Sequence, residues 1–508
     1  MKLARGIVFG LLLAVGLARV GAYLTYAAAC LPSPLETFHL EAKMVLLCLR
    51  AELGESLYPA WRDHPHVANF FGPAYFWAVG RLGRLVGAEI PGLFSIGRGV
   101  AFGSGLLTSA VVGLVAGRKY GRFAGVAAGT LSLGAAPMFG FSVMVRPDLT
   151  AELLGVGGFF LATRKGRASG LIGGGLLVLA ILTKQTAVIF LGAAVLARWI
   201  EGDRRGGLAL LVGALAVLAG VVAGVTALAE PGFATGLTGE SRTPWEFASF
   251  ARNLDRMTQL APDLLFFALL GLGLWSTRAT GGRDPRLAVL AGVVLLSSLV
   301  LAAKRGADLN YDLTLRVVEG LAVGAAWRAW GLSTSRARSA ALAGAVLIGT
   351  VAVIPGVMFA ASQAGNERAR AALFSGPLGR EVLALHRDLF ARARDPDSKI
   401  LTDSGMLDLH HGKLADFGDP WLFRVLAETG QVDLKVMRDR VDTGYYDLIV
   451  TTSELERPGY DSYEFGLPRP LVERARARYR RIGTRAGLFL YGPRPIAEGP
   501  RRPTQQPD

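Results

Sequence analysis

The chain has 508 residues, 51% of them hydrophobic, with a formal net charge of +15 and a mean hydropathy of +0.38. This composition excludes an ordinary soluble protein, which would need several domains and a more polar surface. Two cysteines, Cys30 and Cys48 in the same early loop, could pair with each other but exclude a disulfide framework.

Lys2 and Arg5 precede the apolar run VFGLLLAVGLARVGAYLTYAAA (8–29). That run is too long for a secretory h-region and long enough for the ~30 Å hydrocarbon core. Residues 7–29 therefore read as a first membrane span, and AAAC (27–30) matches a lipoprotein cleavage site only loosely.

The next loop is the richest in polar chemistry, LPSPLETFHLEAKMVLLCLRAELGESLYPAWRDHPHVANFFGPAYFW (31–77). If 35–50 is helical, Glu36, His39 and Lys43 share one face. A carboxylate in a dry cleft near a membrane surface serves as a general base; the plainer reading is a solvated amphipathic helix. Tyr58, Pro59, Asp63, His64 and His66 follow. His39, Glu41, His64 and His66 lack the spacing of a zinc motif, as does the His410–His411 pair, so these histidines read as structural. FFGPAYFWAVGRLGRLVG (70–87) has Arg81 and Arg84 within its apolar pattern and reads as an amphipathic surface helix.

Further spans are expected near 93–116, 123–143, 149–163, 171–183, 186–199, 208–229, 262–276, 286–302, 312–331 and 338–361. Several are short, which requires tilted or broken helices. The basic loops RKYGR (118–122), TRKGR (163–167), RWIEGDRR (198–205), STRATGGRDPR (276–286) and STSRARS (333–339) alternate consistently if they and the N-terminus are cytoplasmic. The positive charge is then a topology signal rather than a nucleic-acid footprint. The count is about eleven spans, or twelve if 70–87 crosses.

On the opposite, extracytoplasmic face emerge the loop 30–92, RPD (146–148), TKQT (183–186), the loop 230–261 and KRGADLNY (304–311). Arg146, Lys184, Lys304 and Arg305 bring cations to this level, with Asn310 and Tyr311 beside the last pair. Snorkelling to headgroups is one explanation. A phosphate held at the bilayer surface is the other. Residues from about 362 change character. KILTDSG, YDLIVTTSE and GLFLYGP read as strands, and EVLALHRDLFARAR and PLVERARARYRR as amphipathic helices. The expected fold is mostly α: a polytopic membrane helix bundle with a large first extracytoplasmic loop and a small C-terminal soluble α/β domain over 362–495. Residues 496–508 read as a disordered tail. No Walker A loop, HExxH or nucleophile elbow is present.

Glu36 after the first span, LYPAW (57–61), NFFGPAYFW (69–77), Gly121–Arg122 before a span, VRPDLTAELL (145–154), LTKQTAVIFL (182–191) and KRGADLNYDL (304–313) occur in this order. With an outward C-terminal domain, the order resembles the GT-C superfamily of integral-membrane glycosyltransferases. The nearest branch is that of protein O-mannosyltransferases and lipid A aminoarabinose transferases, and the resemblance covers almost the whole chain. It implies that 1–361 form the catalytic membrane domain. It also implies inverting transfer of a sugar from a polyprenyl-phosphate donor to a lipid, glycan or protein hydroxyl at the outer face of the cytoplasmic (inner) membrane. By the same resemblance Glu36 is the catalytic base and Asp148 a second acid. Arg146, Lys184, Lys304, Arg305 and Tyr311 meet the donor phosphate, and His39, Tyr58 and Asn310 contact substrate. Many relatives have an acidic pair in the first loop. Here Leu35 precedes Glu36, so one carboxylate acts alone or Glu41 assists. Some relatives use a divalent metal and others none; no cofactor or metal ligand is assigned, and no nucleic-acid partner is expected. The alternatives are a transporter or lipid flippase, which would show repeated halves and midplane polar residues, and a non-catalytic envelope scaffold.

Overall fold

The structure is a computed structural model. It describes residues 2–34, 36, 40–133, 136–228, 230–239, 243–260, 285–305, 309–332, 344, 377–411, 416–458, 460, 466–485 and 487–495. The expected spans 262–276 and 338–361, apart from 344, lie outside these residues, as does His39. The chain divides into two compact units. One comprises Met1–Pro59 and Asn69–Leu373; the other comprises Ala60–Ala68 and Phe374–Asp508.

In the first unit the described helices are α1 (Lys2–Cys30), α2 (Glu41–Leu53), α3 (Ala74–Val86), α4 (Ile90–Tyr120), α5 (Arg122–Leu133), α6 (Ala136–Ser142), α7 (Asp148–Ala162), α8 (Arg167–Thr183), α9 (Val188–Ile200), α10 (Arg204–Leu228), α11 (Phe233–Gly239), α12 (Phe247–Leu260), α13 (Pro285–Ala302) and α14 (Leu313–Leu332). By length and composition, α4, α10 and α13 are each able to cross a membrane. Only 6% of the most apolar stretch of α10 is buried inside the protein. An apolar helix surface this uncovered needs lipid rather than water around it.

Local sequence explains the boundaries. Pro91 sits in the first turn of α4, and Arg118 and Lys119 in its last turn face the negative end of the helix dipole before Gly121 ends it. The α4–α5 contact is built from small residues. A Cβ on Gly125 would stand 2.7 Å from the Cα of Gly117, so only glycine lets these backbones meet. The segment expected as one span at 123–143 is two helices, α5 and α6. α3 has 13 residues, about 20 Å of helix, too short to cross a bilayer. It buries Tyr75, Phe76 and Val79 and leaves Arg81 and Arg84 exposed. α8 stops at Thr183, Lys184 is extended (φ −151°, ψ 125°), and a 3₁₀ turn over Gln185–Ala187 leads into α9.

The second unit has a four-stranded sheet in the order β1 (Ile400–Thr402), β2 (Leu448–Thr451), β4 (Leu488–Pro493), β3 (Tyr479–Arg485). β1 and β2 are parallel and the other pairs antiparallel. α15 (Pro377–Arg394), α16 (Gly405–His411), α17 (Pro420–Glu428), α18 (Lys435–Asp442) and α19 (Arg469–Arg478) complete it. Three strands fall where the sequence places them. β3 instead grows out of the arginine-rich segment expected as helix; it lies at the sheet edge, where exposed Arg480 and Arg481 discourage further pairing. Residues 60–68 of the first loop belong to this unit. The His66 N–H donates to the Asp416 carbonyl at 2.8 Å, and Arg440 Nη1 donates to Asp416 Oδ1 at 2.8 Å beside the His64 ring. His64 and His66 thus pack as part of a small fold.

Candidate active site

Asp148 is the first residue of α7, preceded by Pro147 at φ −73°. Proline ends the approach, and an acid in the first turn suits the positive end of the helix. Three donors meet its carboxylate. Arg146 Nε lies 3.1 Å from Oδ2, Lys184 Nζ 2.6 Å from Oδ1, and Asn310 Nδ2 3.1 Å from Oδ1. The α8–α9 break supplies Lys184 and the 3₁₀ turn before α14 supplies Asn310. Lys184 Nζ also stands 5.0 Å from the Tyr311 ring centroid, a cation–π distance. The Asp148 and Lys184 side chains are 1% and 5% exposed. Two cations share the Asp148 carboxylate in a water-poor place. Guanidinium and ammonium donors so placed match the oxygens of an anion.

A cavity of about 30 Å³ borders this cluster, lined among others by Asp148, Glu152, Lys184, Ser298, Asn310 and Tyr311. It accommodates water-sized groups rather than a sugar ring. Glu152 stands one turn below Asp148, and its Oε2 accepts from the Thr314 hydroxyl at 2.7 Å. Its Oε1 is buried without a hydrogen-bond partner among the described residues. Sequence reading did not single out Glu152. The available signal was an acid four positions after Asp148 on the same helical face.

The first loop reaches this region through Glu41. Arg98 grips it with Nε at 2.9 Å from Oε1 and Nη2 at 2.9 Å from Oε2, and both side chains are fully buried. The Val145 N–H donates to the same Oε1 at 2.9 Å. Glu41 therefore ties α2 to the peptide that precedes Arg146. Both of its oxygens are engaged, so Glu41 acts as a strut between α2, α4 and that peptide. Glu36 is half-buried, and its Oε2 accepts from the Ala42 N–H at 3.3 Å, at the next peptide along from the strut. Arg98, another residue the sequence reading passed over, is what brings these pieces together.

The remaining expected residues lie elsewhere in their described contacts. The Tyr58 hydroxyl donates to the Phe71 carbonyl at 2.6 Å, and its ring packs edge-on against Phe233 at 4.9 Å. Glu230 accepts from the Leu57 and Tyr58 N–H groups at 2.7 and 3.2 Å, so Tyr58 belongs to a well-braced turn. Lys304 forms a bridge with Trp245, while the Arg305 N–H donates to the Pro244 carbonyl and its guanidinium lies 3.9 Å from Glu246. Neither Lys304 nor Arg305 lines the Asp148 cavity.

No protein-family model and no curated protein matches the sequence. Solved structures do. ArnT from Cupriavidus metallidurans bound to undecaprenyl phosphate superposes with a TM-score of 0.59 over 94% of this chain and 97% of that one, at 15% identity. The chain has the GT-C fold. The archaeal oligosaccharyltransferase AglB from Archaeoglobus fulgidus, in complex with an inhibitory peptide and a dolichol-phosphate, gives a TM-score of 0.56 at 15% identity. The match covers 94% of this chain and 74% of AglB. At this identity the GT-C likeness is one of fold, and a multi-pass membrane protein is what the fold and the apolar helices describe together.

Proposed function

We propose that the protein is an inverting glycosyltransferase that moves a sugar from a polyprenyl-phosphate donor to a hydroxyl acceptor at the extracytoplasmic face of the cytoplasmic membrane. The observation that carries this reading is the convergence of Arg146, Lys184 and Asn310 on Asp148 within a GT-C fold. The similar structures were determined with undecaprenyl phosphate and dolichol-phosphate, which supports a lipid phosphate as the ligand class. The outward orientation rests on the arginine and lysine of the short loops.

In this reading Glu36 takes the proton of the acceptor hydroxyl as its oxygen attacks the anomeric carbon. The bond from that carbon to the phosphate oxygen breaks, and the lipid phosphate leaves as an anion. Arg146 and Lys184 stabilise the growing negative charge, with Lys304 and Arg305 as further contacts from the 304–311 segment. Asp148 holds the first two cations in position while they wait. The acceptor is a lipid, glycan or protein hydroxyl. The test is binding of undecaprenyl phosphate to the purified full chain in nanodiscs, followed by transfer from undecaprenyl-phosphate-linked sugars. Saturable lipid-phosphate binding that Lys184→Ala weakens is the expected result. Binding indifferent to Lys184 and Arg146 would refute the phosphate assignment.

A further inference from the structure

In the second unit, α18 and α19 line an open surface cleft of about 470 Å³ formed by Arg438, Asp442, Glu473, Arg474 and Arg478, with Pro470 and Ala477 as its apolar part. That volume lies within the range of roughly 300–1,000 Å³ occupied by small-molecule sites. Its charges are only partly paired off within the lining. Asp442 is taken by Arg474. Glu473 accepts from Arg469 Nε at 2.8 Å, a residue outside the lining. Among the described residues Arg438 pairs with Asp433 at 3.8 Å, and that aspartate is 72% exposed. The Nε of Arg478 is buried with no hydrogen-bond partner among the described residues. Arg438, held in a long and solvent-exposed ion pair, and Arg478, which has no ion pair among the described residues, both line the cleft. Arg474 and Arg478 also stand one helical turn apart, a like-charge spacing that costs an isolated helix a few tenths of a kcal/mol. A planar guanidinium fork matches phosphate and carboxylate oxygens. The space exceeds that of a bare oxyanion, and Asp442 and Glu473 each keep one oxygen outside these pairs to accept from hydroxyls.

We propose that this cleft binds an anionic saccharide, with Arg438 and Arg478 holding its phosphate or carboxylate. The site is separate from the Asp148 cluster and does not depend on glycosyl transfer. The test uses the full chain in phosphatidylcholine nanodiscs, titrated with glucose 6-phosphate, glucuronate and glucose. Binding is read by calorimetry and by hydrogen exchange over 435–442 and 469–478. Glucose 6-phosphate and glucuronate should bind and slow exchange in both helices, while glucose should not. Arg438→Gln with Arg478→Gln should weaken binding roughly tenfold or more, the loss expected for charge-assisted hydrogen bonds. Ala477→Glu keeps every guanidinium and adds a negative charge to the wall; it should abolish binding even if the double variant folds poorly. Replacing half of the phosphatidylcholine by phosphatidylglycerol locates the source. Unchanged affinity for glucose 6-phosphate supports a saccharide ligand, whereas competition by phosphatidylglycerol would assign the arginines to a lipid headgroup and overturn the saccharide assignment. No binding of either anion, an equal response to glucose, or undiminished binding in both variants would overturn the proposal.

Discussion

Lys184 Nζ lies 2.6 Å from Asp148 Oδ1, and both side chains are buried. The pair joins a broken helix to the start of another, 36 positions away. Asp148→Ala strands buried Lys184 and should cost about 3–5 kcal/mol of stability; Lys184→Ala should cost less, because Arg146 and Asn310 still hold Asp148. Lys184→Met combined with Asp148→Leu should recover most of that stability and none of the sugar transfer. Thermal unfolding of the purified protein and a transfer assay read the two effects separately.

Glu36 and Glu41 are five positions apart and should behave in opposite ways. Glu36→Gln should lower the transfer rate by about 10²–10⁴-fold, the usual contribution of a general base, with an unchanged melting temperature. Glu41→Gln leaves Arg98 buried beside a neutral partner. It should destabilise the protein by a few kcal/mol, roughly the cost of breaking a buried pair, with activity falling only as the folded fraction falls.

Lys304 and Arg305 contact the 244–246 segment rather than lining the Asp148 cavity. If they receive the lipid phosphate at the cluster's edge, their joint replacement by alanine should raise the donor KM by about tenfold while kcat changes little, the pattern of lost uniform binding. Lys184→Ala should lower kcat as well. Steady-state kinetics over donor concentration separates the two patterns.

Burial pushes the Asp403 carboxyl up from 3.8 to about 7, against hydrogen bonds from the Thr452 N–H and the Tyr460 hydroxyl. A raised carboxyl pKa means that its contribution is fully present below 3.8 and is lost as pH rises through about 7. Asp403→Asn should therefore gain stability over the natural protein as pH rises from 4 to 7, by on the order of 4 kcal/mol. His410 has the opposite slope. Burial and the neighbouring Arg394 lower it from 6.5 to about 4, so its contribution is present above 6.5 and is lost as pH falls through about 4. Denaturation series at pH 4, 5, 6 and 7 test this.

Cys30 and Cys48 are both buried, so a new surface thiol can be labelled against a low background. Lys435→Cys, at an exposed position of α18, should react with a membrane-impermeant maleimide added to intact cells. Labelling only after the membrane is opened would reverse the proposed orientation.

Much of the helical framework was legible because membrane helices announce themselves in composition. The ends of α4, α7, α8, α9, α10 and α13 fall within a few residues of the apolar runs that predict them. The turns at Arg146–Asp148 and Lys184 were legible for the same reason, since a charge inside an apolar stretch has few places to go. The strand at 479–485 was not. Its arginines follow a helical pattern continuing from α19, and only pairing with β4 makes an edge strand the better use of them.

By itself the sequence determined that apolar helices alternate with basic loops, that cations stand at several turns of one expected face, and that a more polar segment with strand and helix patterns follows. Hydrophobic length and charge placement are local quantities, so one dimension suffices to read them. Which turns meet was decided only in three dimensions. Asp148 gathers Arg146, Lys184 and Asn310 because helix breaks direct those side chains inward. Arg98, inconspicuous in an apolar helix, neutralises Glu41, whose Oε1 also accepts from the Val145 N–H and so ties the first loop to it. A buried charge must find its counterpart through space, and the distance along the chain says nothing of where that counterpart is.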